Sequence, residues 1–260
     1  MQGESFPQGI VLKVNPHNSN ERELFGDPWV AEFIQVKFHR STWFLNNQRS
    51  EFLTSEQKLI VNTMENDRYL LRSDRTPSKE FERFQELDGI ADIAFPGDRL
   101  TYESMGKREL AKEVELSVVG QLETYQMVED ANLDLKLYPI IVGWEPWHYE
   151  RQRVLFKEFG TRSCAFDGTQ YNSINKLVAD LEALVEILNP NRIYLNGRVS
   201  AKHLHKVPRE VVAASGIHSL LEGARLPNGE HSRDRLVEII TRRTEAVRSW
   251  QTELSKYHTK

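Results

Sequence analysis

The sequence predicts an α/β protein, a (β/α)8 TIM-like barrel in a single domain over residues 1–260, irregular in its first two units and ending in an amphipathic helix. Three observations predict it. Short apolar or β-branched runs alternate with helix-period segments from end to end. No linker, internal repeat or low-complexity stretch divides them. Eight candidate strands in 260 residues suit a closed barrel better than an open doubly wound sheet.

The strands are GIVLKVN (9–15), FIQVKF (33–38), RYLLRS (68–73), ADIAFP (91–96), YPIIVG (138–143), RSCAFD (162–167), RIYLNG (192–197) and EVVAAS (210–215). Residues 15–50 hold no long helical pattern, and HRSTWFLNNQ either extends the second strand or forms a loop. TSEQKLIVNTMEN reads as a helix with Thr54 at its N-cap. PSKEFERFQEL opens on a proline suited to the first helical turn, and KRELAKEVELSVVGQLETYQMVEDA follows as a long helix. HYERQRVLFKEFG closes on Gly160, and NSINKLVADLEALVEIL is stopped by Asn189-Pro190. Over 231–256, Leu236, Ile240, Val247, Trp250 and Leu254 draw one apolar stripe.

Composition removes several classes of function. A single cysteine, Cys164, excludes an internal disulfide, a multi-cysteine zinc site and an iron–sulfur cluster, and no HExxH is present, so no metal is expected. No GxGxxG or GxxxxGK[ST] follows a strand, so no nucleotide cofactor is expected either. No apolar run reaches the roughly 20 residues of a membrane span. MQGESFPQGI lacks the basic and apolar blocks of a secretory signal, and the expectation is a cytoplasmic protein. A net charge of −4 leaves any nucleic-acid contact to a local positive field.

In a parallel barrel, chemistry gathers where strands end. The strand-end residues are Asn15, His39, Asp74, Asp98, Trp144 with Glu145, Asp167 with Gly168, Asn196 with Arg198, and His218. Asp98, in FPGD, is either a turn residue bonding its own backbone or a carboxylate that reads the donor edge of a ligand ring. Asp167, in AFDGTQY, poses the same choice, with Gly168 permitting close backbone approach. Two carboxylates in one mouth can divide acid and base roles, as in glycosidic-bond cleavage. In GWEPWHYE, Trp147 and Tyr149 staple the loop to the next helix, or else the aromatics, Trp144 among them, offer stacking faces to a base, and Gly143 lets a flat ring lie against the backbone. RIYLNGRVSAKHLHKVPR carries Arg192, Arg198, Lys202, Lys206 and Arg209 with no acid, and is either a solvated face or a phosphate-binding loop after the seventh strand.

Together these segments resemble the tRNA-guanine transglycosylase superfamily, including its DNA-directed branch that inserts 7-deazaguanine bases. The similarity covers about residues 90–225. It is carried by YPIIVGWEPWHYERQRVLFKEFGTRSCAFDGT, by RIYLNGRVSAKHLHKVP and by ASGIHSL. The resemblance implies that Asp98 reads the base edge and that Gly143 lies in the base-contacting loop. Gly168 matches the second glycine of the family's double glycine, while Asp167 replaces the first. Leu221 stands where the nucleophilic aspartate of the family should be, and the zinc ligands and the N-terminal Asp-Ser-Gly motif are missing.

The function this resemblance implies is a base flipped into the barrel mouth and the loss of its N-glycosidic bond. Without a covalent aspartate, water directed by Asp167, Asp98 or Glu145 is expected to capture the sugar, leaving an abasic site. Asp98, Gly143, Trp144, Gly168 and Asn196 are expected to bind the base, and Arg198, Lys202, Lys206 and Arg209 to hold phosphates. The missing zinc and tRNA-binding additions tilt the substrate toward DNA, and the activity suits defence against viruses with modified DNA. Two rivals are an exchanger using another carboxylate, such as Glu222, and an inactive barrel that binds nucleic acid or pairs with an active subunit. The resemblance also admits a homodimer.

Overall fold

The computed structural model describes residues 6–25, 30–72, 75–197, 200–216 and 218–255, with the side chains of 201, 202 and 248–255 excepted. Its strands are β1 (Gly9–Lys13), β2 (Phe33–Lys37), β3 (Lys58–Asn62), β4 (Ile93–Phe95), β5 (Lys136–Leu137), β6 (Ile140–Ile141), β7 (Ser163–Asp167), β8 (Arg192–Asn196) and β9 (Val211–Gly216). All named strand pairs are parallel, and the sheet runs β5-β4-β3-β2-β1-β9-β8-β7-β6. The helices are α1 (Ser19–Phe25), α2 (Asp67–Leu70), α3 (Pro77–Glu86), α4 (Lys107–Asp130), α5 (Pro146–Glu158), α6 (Ile174–Leu188), α7 (Ala201–Leu204), α8 (His218–Ala224) and α9 (Arg233–Ser255).

Alternation within each strand builds two cores. Ile10, Leu12, Ile34, Val36, Leu59, Val61, Cys164 and Phe166 face the helices. Val11, Phe33, Ile60, Phe95, Ala165 and Tyr194 face the inside of the curl. The curl is tight enough for Phe95 of β4 and Tyr194 of β8, which are not sheet neighbours, to stack with centroids 4.8 Å apart. The Tyr194 hydroxyl also donates to Gln35 Oε1 of β2.

The expectation of a closed eight-strand ring needs correction. The predicted strand 138–143 shrinks to β6, preceded by a separate two-residue β5, with β5 pairing β4, β6 pairing β7, and no ladder joining β5 to β6. Pro96 and Pro139 lack an N–H, and side chains take over the backbone of this stretch. Gln121 of α4 accepts from Ile140 N at 2.8 Å and donates to Ile140 O at 2.9 Å. Gln152 of α5 does the same for Val142, at 2.9 and 2.6 Å. The result is a curled sheet whose two edges are consecutive stretches of one chain.

Three further expectations are corrected. The segment read as a helix, TSEQKLIVNTMEN, contains β3, and the segment read as a strand, RYLLRS, begins as the short α2. A run of three apolar residues, two of them β-branched, is too short to show its period, whereas burial decides: Leu59, Ile60 and Val61 are buried and Leu71 is 70% exposed. HRSTWFLNNQ forms a 3-10 helix over Phe38–Leu45, neither a strand extension nor a loop. The remaining helices fall where their caps place them, with Thr76 Oγ1 accepting from Lys79 N before α3 and Asn189 in the left-handed conformation after α6. Leu236, Ile240 and Val247 of α9 are buried; the side chains of Trp250 and Leu254 lie outside the described residues. Among the described residues no helix is long and apolar enough to cross a membrane.

Candidate active site

Parity within the strands dictates what the sheet's C-terminal end presents. Beyond the inward Val11, Gln35, Ile60, Ala165, Tyr194 and Ala213 come Lys13, Lys37, Asn62, Asp167, Asn196 and Ser215. The inside of the curl therefore turns from apolar to polar along its axis.

Asp98 follows β4 through a Pro-Gly turn that α3 and α4 hold in place. Gly97 N donates to Glu80 Oε2 at 2.8 Å and Ser117 Oγ donates to Gly97 O at 2.8 Å. Asp98 N donates to Thr63 Oγ1 at 3.1 Å, while its carboxylate accepts from Glu65 N at 3.3 Å. The partner of the carboxylate thus lies in the loop after β3 rather than in its own turn, and the side chain is 5% exposed. Burial, reinforced by the charge of Asp167, raises its pKa well above the usual carboxylate range, against the opposing pull of Arg75.

Asp167 ends β7 and is a hydrogen-bond hub. It accepts from Asn196 Nδ2 at 2.9 Å, Thr169 N at 3.0 Å and Thr169 Oγ1 at 2.8 Å. Asn196 is 1% exposed, and its Oδ1 accepts from Ser215 Oγ at 3.0 Å and Lys13 Nζ at 3.5 Å. The network fixes the Asn196 amide with its donor toward Asp167. Asp98 and Asp167 line one cleft with Thr101, Gly143, Trp144 and Tyr171. Its volume is about 20 Å³, room for one water and not for a nucleobase.

Glu145 does not join them. It is exposed, and forms a reciprocal cap at the start of α5 in which its side chain accepts from the His148 backbone. His148 completes the cap through Nδ1, which accepts from Trp144 N at 3.1 Å and Glu145 N at 2.9 Å. Burial lowers the pKa of His148, which suits this acceptor role. The same ring explains Gly143. At φ +104°, a Cβ there would stand 2.7 Å from His148 Cβ, so the space expected for a ligand ring is filled by the cap. Trp144 packs against Tyr171 with centroids 4.5 Å apart and donates from Nε1 to Thr101 O. Gly168 N donates to Asn196 O at 2.9 Å, so this amide is already engaged.

A larger cavity of about 730 Å³ lies at the same end of the sheet, lined by Lys13, Lys37, Arg40, Asn66, His203 and His218 among others. Lys37 Nζ donates to Asn66 Oδ1 at 2.7 Å. Burial lowers the pKa of both lysines, Lys13 to about 8 with help from Lys37. Sequence reasoning missed both lysines because the predicted strands ran on to Asn15 and Phe38, whereas β1 and β2 end at Lys13 and Lys37. The signal was a lysine at the inward parity of two adjacent apolar runs, GIVLKVN and FIQVKF.

The expected phosphate loop is dispersed. Arg192 lies at the opposite end of β8, over the Phe6 ring at 5.0 Å. Lys206 and Arg209 are exposed and do not line the cavity, and Arg209 pairs at 3.0 Å with Glu210, the residue just beyond the acid-free stretch. Arg198 and the Lys202 side chain, like Asp74, fall outside the described residues. Of the other strand-end residues, Asn15 lines the large cavity, and His39 pairs with the buried Glu65 at 2.5 Å. Leu221 is half-buried against the core and Glu222 is exposed, both on α8. Among the described residues no group of three or more His, Cys, Asp or Glu is placed to hold a metal ion. Compared with known proteins, the chain matches no family model and no curated protein.

Proposed function

We propose that this protein hydrolyses the N-glycosidic bond of a nucleotide flipped out of DNA, leaving an abasic site, and that the mouth of its curled parallel sheet is the active site. The observation that carries the reading is the shared cleft of Asp98 and Asp167, two carboxylates from separate β/α units facing a one-water space. Unequal environments divide their roles. Burial biases Asp98 toward its protonated form, from which it donates a hydrogen bond to the water. Asp167 accepts the water's proton as the water oxygen attacks C1′ and the C1′–N bond breaks, the base leaving with the bonding pair and taking a proton from solvent, while the charge of Asp167 stabilises the oxocarbenium-like sugar.

The cleft is too small for the base. The flipped nucleotide occupies the 730 Å³ cavity, with Asn66, His203 and His218 as polar partners for a base edge and Lys37 with Arg40 for the flanking phosphates. Trp144 and Gly143 serve as the wall of the water site rather than as the stacking platform. Lys206, whose backbone N–H donates to the carbonyl of the cavity-lining His203, adds an exposed charge for the phosphate backbone outside the cavity. The exposed position of Glu222, off the lining of both cavities, favours hydrolysis over exchange through that residue.

The test is incubation with DNA carrying modified or ordinary purines, followed by alkali and by chromatography of released bases. Strand cleavage after alkali with stoichiometric free base is the expected result. Uptake of labelled free base without cleavage identifies an exchanger instead, and salt-sensitive binding with neither reaction leaves a binding module.

A further inference from the structure

Lys13 is the group in this mouth that base hydrolysis does not use. It emerges from the inward face of β1 beside the apolar Val11, lines the large cavity, and reaches one side-chain acceptor, Asn196 Oδ1, only at 3.5 Å. The charged groups around it come from separate elements: Lys37 from β2, Arg40 from the 3-10 helix after it, Glu65 from the loop after β3, and Asp167 from β7. The cations oppose a charge on Lys13, and the nearer carboxylate network is already satisfied by Asn196 and Thr169. An amine held at about 8 exists to roughly one part in ten as the neutral nucleophile at pH 7, whereas an ordinary lysine near 10.4 is neutral to less than about one part in a thousand.

Resting on the reading above, we propose that Lys13 is a Schiff-base amine whose substrate is the ring-opened aldehyde of an abasic deoxyribose, and that the protein cleaves the strand there as a lyase. The Nζ lone pair forms a bond to C1′, the aldehyde oxygen leaves as water, and an imine results. Asp167 takes a C2′ proton; the electron pair of that C–H bond forms the new double bond as C3′–O breaks, and the 3′-phosphate leaves with the bonding pair. Water then hydrolyses the imine, returning the amine and releasing the unsaturated aldehyde. No oxidant or reductant is needed.

The full-length protein is mixed with an oligonucleotide carrying a preformed abasic site and treated with borohydride, which reduces the imine to a stable secondary amine. A covalent protein–DNA adduct is expected, with the modified peptide containing Lys13, and at least about a 50-fold loss of adduct in both Lys13→Arg and Lys13→Met. Trapping should rise with pH and level off above about 8. The proposal is overturned by the absence of an adduct, by mapping to Lys37 or another residue, by an adduct that persists in Lys13→Arg, or by a yield still climbing at about pH 10, where an ordinary lysine titrates. Mapping on the unsubstituted protein decides the matter even if both variants unfold. Because the abasic site is supplied ready-made, trapping without base release sinks the hydrolase reading alone, and base release without trapping sinks the lyase alone.

Discussion

Strands β4 and β7 lead into Asp98 and Asp167, while β1 and β2 end in Lys13 and Lys37, so the two halves of the mouth carry opposite chemistry. The acid half is tight, walled by aromatic rings and sized for one water; the amine half is open, polar and sized for a nucleotide. Asn196 joins them, donating to Asp167 from one end of its amide and accepting from Ser215 and Lys13 at the other. Opposite as they are in charge type, burial pushes the two halves toward a common end. It favours the neutral acid at Asp98 and the neutral amine at Lys13, the forms that the proposed chemistry requires of a proton donor and a nucleophile.

The contrast between the halves is most vulnerable at Asp98. Asp98→Asn should slow base release by about 10- to 100-fold, because an amide keeps a donor for the water but loses the acid's geometry. It should also stabilise the fold. The raised pKa of Asp98 means its favourable contribution is complete below the unfolded-state pKa and is lost as pH rises through the folded value. Melting curves should therefore show the variant gaining over the parent as pH rises, by a few degrees at about pH 8 and little at about pH 4. A gain over the parent that is the same at both pH values would mean that Asp98 is not held as the acid.

Gly143→Ala probes the wall of the acid half. A methyl group at φ +104° against His148 should cost about 1–3 kcal/mol in urea denaturation, through backbone strain and loss of the α5 cap. An unchanged midpoint would mean that His148 yields readily. The smallest effect belongs to the rim. Lys206→Ala should weaken DNA binding evenly across sequences and reduce the salt slope by about one, and Arg209→Ala less, since Glu210 offsets it. Filter binding across a salt series reads both.

Much of this architecture was legible in the sequence, and the failures have physical causes. Alternating apolar runs and capped helices revealed the parallel α/β order, and the FPGD and AFDG strand ends picked out the two carboxylates that share the cleft. The break between β5 and β6 was not legible, because it depends on Gln121 and Gln152 reaching backbone groups in another segment. The exchange of helix for strand at KLIVN, and of strand for helix at RYLLRS, came from runs too short to display a period. Glu145 and Trp144 drew attention as chemical residues, yet the cap around His148 and the contact with Tyr171 occupy them. Lys13 and Lys37 escaped because an inward lysine looks like any other strand residue until the strand's register places it at the mouth.

Base release as proposed depends above all on Asp167, which acts on the reacting sugar from a prearranged water site. Single-turnover base release from DNA with Asp167→Asn, alongside a melting curve, puts that dependence to the test. The expected result is a fall of at least about a hundredfold in rate, with melting close to that of the parent protein. Full activity in a folded Asp167→Asn protein would contradict it.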